Sequence, residues 1–152
     1  MNFLTLTLAS TMIFSVPDID SDFKAYMDYR AITNTRSPQY KLQQVSGTDE
    51  NGIRTHNGYY LIALGTYYST NIGDRFKITL DSGEVLLCEV GDIKADCDTD
   101  DTNRYVPCNG NIVEFIVDTK KLPDDVRKMG TVSAIDIFEG NVESIEKLEA
   151  FE

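Results

Sequence analysis

The segment from Ile72 to Val90 constrains this chain most. Ile72-Gly73-Asp74 reads as a turn feeding the alternating run Arg75 to Leu80, and Glu84 to Val90 reads as its partner across Asp81-Ser82-Gly83. Two alternating runs joined through a Gly-ended turn predict an antiparallel β-hairpin. Upstream, Tyr59-Tyr60-Leu61-Ile62-Ala63-Leu64 is a nearly continuous apolar run, as expected of a strand buried on both faces. Downstream, Asn111 to Asp118 reads as a further strand, with the carboxylate Glu114 set among apolar neighbours.

The remaining punctuation is weaker. Phe23, Tyr26 and Met27 at helical spacing suggest a short helix within 18–29, and Tyr40 to Val45 reads as a strand. Pro123-Asp124-Asp125 suits the first turn of a helix ending at Gly130, because proline is preset for that position and acids favour the positive end of the helix. Thr131 to Phe138 and Asn141 to Leu148 are expected to be the last two strands, with the acidic tail 149–152 solvated. A chain of 152 residues with 41% apolar residues supplies one core. The expected organisation is an apolar segment over 1–17 followed by one domain over 18–152. The uncharged segment 1–17 has the apolar character of an export segment, but no basic start and no clean cleavage triplet, so a buried N-terminal strand is the competing reading. It is too short and too interrupted by Thr and Ser for a firm membrane span.

Lys and Arg number 14 against 25 Asp and Glu, a net charge of -11. A polyanion meets net repulsion from such a surface, which weighs against nucleic-acid partners and against simple adsorption to an anionic membrane. A neutral glycan, a protein partner or calcium stays compatible. The alternating acids Asp96, Asp98 and Asp100 form a calcium candidate through hard oxygen ligands. Asp101 stands where an EF-hand loop needs Gly, and Pro107 where it needs the bidentate Glu, so a solvated acidic loop without cofactor is the competing reading. Cys88 sits in a strand pattern as a small apolar residue, while Cys97 and Cys108 flank the acidic loop and allow a disulfide only in an exported protein. His56, the one histidine, reads as an exposed turn residue and excludes a multi-histidine metal site.

The order of these segments resembles the three-aspartate family of double-psi β-barrel domains, the 3D domains of bacterial and phage cell-wall lytic proteins. Leu61 to Tyr68 is similar to the first barrel strand, and Ile72 to Ile78 to the turn and alternating strand that follow. Leu87 to Lys94 takes the place of the strand that runs into the acidic turn, and Asn109 to Phe115 that of the next strand with its inward acid. The resemblance spans about 58–118. It departs from the family in having Gly91 before Asp92, Glu at 114 in place of Asp, and a longer, more acidic loop between them.

The resemblance implies a mainly β fold, a small six-stranded double-psi-like barrel with one or two short helices. It implies an extracellular or cell-wall location, and cleavage of peptidoglycan glycan strands in the manner of a lytic transglycosylase. One carboxyl then serves as acid and afterwards as base, with the sugar's own hydroxyl as nucleophile. Asp92 is the candidate acid/base and Glu114 its like-charged neighbour, since an Asp that titrates near about 3.9 needs burial or a second carboxylate to keep its proton. Lys94, Tyr67, Tyr68 and Asp96 are the candidate substrate contacts. Two other readings of the residues stand beside this one: Asp92 capping its own turn or pairing with Lys94, and Glu114 facing solvent. At the level of the whole chain the alternative is a non-catalytic barrel that binds a glycan or protein, or builds an exported or phage-associated particle, through Tyr59, Tyr60, Tyr67 and Tyr68.

Overall fold

The computed structural model describes residues 10–150. The expected hairpin forms as β6 (Arg75–Leu80) and β7 (Val85–Ile93), paired from Arg75 opposite Glu89 to Thr79 opposite Val85. The apolar run becomes β5 (Tyr59–Leu64), the hub of the sheet. Along one edge β5 pairs in parallel with β7; along the other it pairs antiparallel first with β4 (Arg54–His56), then with β8 (Glu114–Val117). β9 (Val142–Leu148) adds outside β6, β1 (Ser10–Phe14) outside β9, β3 (Gly47–Thr48) outside β4, and β2 (Tyr26–Asp28) lies parallel to β8.

The nine strands among the described residues therefore make one mixed sheet that runs from β1 to β3 without closing. The expected closed six-stranded barrel is corrected to a mainly β open sheet. β1 is an edge strand with Met12 and Ile13 exposed, and Phe14 packs edge-on against Tyr67 and Tyr68. Residues 1–9, most of the expected export segment, lie outside the described residues. Among the described residues no helix is long and apolar enough to cross a membrane.

One face of the sheet carries the main core, built from Ile62, Leu64, Phe76, Ile78, Cys88, Val90, Phe115, Val117 and Ile145. Period-two alternation then sends Leu61, Glu89, Glu114 and Ile116 to the opposite face. There α1 (Pro38–Gln44) packs on β7. The strand expected at 40–45 is thus a helix. The overlooked signal was Ser37-Pro38, in which the Ser37 hydroxyl accepts the Tyr40 N–H and proline sits in the first turn. Arg54 fastens the far end of α1, donating from Nε to Gln43 Oε1 and from Nη2 to the Gln43 carbonyl, each at 2.8 Å, with its guanidinium over the Tyr29 ring.

α2 (Asp124–Met129) ends as expected, with Gly130 at φ 72°, the left-handed cap that glycine adopts without penalty. Two other expectations fail. Segment 18–29 yields only β2 and a 3-10 turn over Tyr29–Ala31, and 131–138 forms the 3-10 turns Val132–Ala134 and Asp136–Phe138. Distant side chains compete for the backbone that a helix would have used. Ser21, Lys24 and Ala25 donate their N–H groups to Asn141, Thr131 and Asn111 respectively. The side chain of Lys24 fixes the same junction. It is fully buried, and its Nζ donates to the carbonyls of Asp22 and Gly140 and to Ser133 Oγ at 2.9, 2.6 and 2.9 Å.

Candidate functional site

Asp92, Lys94 and Glu114 come together because β5 is flanked on both sides at the same level. Ala63 pairs with Asp92 across one edge and with Glu114 across the other. Two strand spacings put the two acidic Cα atoms about 10 Å apart. A bulge at Gly91, between the pairs Ile62 with Val90 and Ala63 with Asp92, turns Asp92 onto the face that Glu114 occupies. Glycine leaves room there for Ile116, whose Cδ1 would lie 2.7 Å from an added Cβ and would have to shift. The three polar side chains line an open cleft of about 300 Å³ with Met27, Ile93 and Val106.

Their partners are distinct. Lys94 is buried and donates to Glu114 Oε1 at 3.2 Å. Burial lowers the Lys94 pKa, against the opposing pull of Glu114. Asp92 Oδ1 accepts the N–H of Ile93 at 2.9 Å and faces Gln39 Nε2 at 3.5 Å. Lys94 therefore holds Glu114 rather than Asp92, and Asp92 bonds its neighbour's backbone from within β7 rather than from a turn.

The other candidate contacts lie elsewhere. Asp96 is exposed and accepts from Thr66 Oγ1 at 2.7 Å. Tyr68 is in the core, while Tyr67 is 41% exposed beneath Arg104. Tyr60 packs on Phe115 and Phe138, and Tyr59 lies under Arg75. The four tyrosines thus form no common contact surface. The calcium candidates are also divided. Asp98 lines the cleft, whereas Asp100 accepts from the backbone N–H groups of Thr102, Arg104 and Tyr105, bonds that with the Thr102 hydroxyl hold its pKa near about 2 despite partial desolvation. Among the described residues no cluster of three His, Cys, Asp or Glu side chains is placed to hold a metal. Cys97 and Cys108 are both free and exposed, and Cys88 is buried as expected.

A second cleft, about 830 Å³, is lined by Pro38, Lys41 and Leu42 of α1. His56 is not an exposed turn residue. It ends β4 half-buried, with Nδ1 2.8 Å from Oε2 of Glu89, a carboxylate only 2% exposed. Arg75 Nε donates to the other oxygen, Glu89 Oε1, at 2.8 Å, and its guanidinium lies 4.0 Å over the Tyr59 ring. Nearby, Lys147 Nζ is 3.4 Å from Asp74 Oδ2. The signal was present in the sequence: Glu89 is a charge inside an apolar strand, the same anomaly that singled out Glu114. No family model, curated protein or solved structure matches this chain.

Proposed function

We propose that the protein is a glycan-binding module and that the sugar is taken in the cleft between β7 and β8. The observation that carries this reading is the set Asp92, Lys94 and Glu114 in one open cleft beside Met27, Ile93 and Val106. A sugar ring offers hydroxyls that both donate and accept around an apolar face. Fixed acceptors and a fixed donor beside apolar side chains complement it, and the volume lies at the small end of ligand sites. This reading agrees with a location outside the cell or at its wall. Titration of labelled protein with N-acetylglucosamine oligomers and with peptidoglycan glycan strands, followed by NMR, tests it. Saturable shifts confined to 92–95 and 114, lost in Lys94→Met, support the reading; the absence of shifts at millimolar sugar refutes it.

A second reading is lytic-transglycosylase cleavage of peptidoglycan, with Asp92 as acid and then base. It is favoured by one observation: Asp92 shares the cleft with Glu114 while the Lys94 ammonium is engaged by Glu114. Removal of a general acid costs about 10²- to 10⁴-fold in rate. Mass spectrometry of peptidoglycan digests tests it: anhydro-sugar ends released by wild type and absent with Asp92→Asn support cleavage, and no release by wild type excludes it.

A further inference from the structure

Three of the 14 Lys and Arg residues, together with the single His, line one cleft of a chain whose net charge is -11. At its floor Glu89 is buried with a partner at each oxygen, His56 Nδ1 at Oε2 and Arg75 Nε at Oε1. A carboxylate only accepts, so Nδ1 carries a hydrogen, and as an imidazolium the ring carries its second hydrogen on Nε2, which then donates to an oxyanion. Arg75 is restrained on one edge by Glu89 and on one face by Tyr59, and its Nη1 and Nη2 donate to no atom of the described residues. A guanidinium held in this way presents its free edge as a preorganised fork for an oxyanion.

The competing acids are accounted for. Asp74 accepts from Ser69 Oγ at 2.8 Å and faces Lys147, and Glu149 is exposed at the rim. Lys41 reaches the same cleft from α1. Pro38, Leu42, Ile72 and Leu148 supply an apolar wall. We propose that this cleft binds a small amphiphilic anion, an apolar body bearing one phosphate or carboxylate group, with the oxyanion held between Arg75 and His56 and the body against the apolar wall. A purely structural ion network would give the buried Glu89 its partners but would need neither the open volume nor the apolar wall. The site shares no lining residue with the cleft assigned to sugar.

The test is NMR of the His56 ring nitrogens, unambiguous because the chain has one histidine, and of Arg75 Nε, during titration with phenyl phosphate and separately with benzoate. Sodium chloride at matched ionic strength and phenol are the controls. At least one of the two anions is expected to displace both signals saturably, with an apparent Kd of about 1 mM or below. Which of them does so identifies the anionic group. Binding is expected to weaken about tenfold or more in Arg75→Gln and in His56→Gln, the loss of one good charge-assisted contact. The second variant leaves the Arg75 and Glu89 pair intact, so a misfolded Arg75→Gln does not cost the test. No saturable displacement by either anion, displacement equal to that by chloride, or binding untouched by both substitutions overturns the proposal.

Discussion

The buried ammonium of Lys24 leads to a prediction about alkaline stability. Burial lowers its pKa from the ordinary 10.5 to about 8, although Asp22, Asp81, Asp20 and Glu139 pull the other way. At neutral pH the amine is still charged, and its three donors meet three oxygens. The folded chain holds this proton less tightly than the unfolded chain does. Between pH 8 and pH 10.5 the unfolded state therefore binds more protons, and the contribution of Lys24 to stability rises with pH. The full span, about 2.5 units, is worth about 3.4 kcal/mol, of which about 2 kcal/mol falls between roughly pH 7 and pH 9.5. Lys24→Met has no proton to release. Its stability at one pH mixes lost hydrogen bonds with relieved burial, so the informative quantity is the difference between wild type and variant as pH changes. The buried Cys88 thiol, whose pKa burial raises, opposes the rise above pH 9 but cancels in that difference. Urea unfolding at the two pH values should show wild type gaining about 2 kcal/mol relative to Lys24→Met. A difference constant within about 0.5 kcal/mol would refute a strongly perturbed, buried ammonium.

Other substitutions separate the remaining features. Glu89→Gln strips the buried carboxylate from between His56 and Arg75 and should cost about 3 kcal/mol in urea unfolding; a loss below about 0.5 kcal/mol would mean the pairings contribute nothing net. Asp28, held near about 2 against partial desolvation by bonds from Thr119 and Arg30, contributes stability that is complete above its ordinary 3.8 and is lost as pH falls toward 2. Wild type should therefore lose about 2 kcal/mol more than Asp28→Asn between those limits, read by acid titration of unfolding. Gly91→Ala meets only the movable tip of Ile116 and should cost about 1–3 kcal/mol, whereas Gly65→Ala meets the Asn103 backbone carbonyl and should cost more; the reverse order in thermal unfolding would contradict the packing described.

What could be read from the sequence depended on how local the determining contacts are. The β6 and β7 hairpin, the apolar β5 and the Gly130 helix end are each specified by neighbours within a few residues, and they form where expected. Segments 18–29 and 131–138 are decided by Asn111, Thr131 and Asn141 reaching across more than 80 residues of chain, which no local periodicity encodes. Sheet closure is another non-local property, and the open edges at β1 and β3 left no mark in strand pattern. The Asp92 and Glu114 cleft was legible because a charge in an apolar strand is conspicuous. At the His56 site Glu89 carried the same signal, but its partner His56 did not, because the two lie on strands that are not adjacent in sequence and meet across β5.

Helix α1 lines one cleft and touches one residue of the other. Pro38, Lys41 and Leu42 face the cleft around Glu89, while Gln39 faces Asp92 and Gln43 lies beside Gly91. A ligand of the first cleft that moves this helix also moves Gln39 against Asp92. Coupling carried by that contact would be reciprocal: an anion that shifts the helix through Lys41 would change affinity beside Asp92 by the same factor that a ligand there changes its own. Seven residues, tied at their far end by Arg54, thus connect the two clefts through the single contact of Gln39 with Asp92.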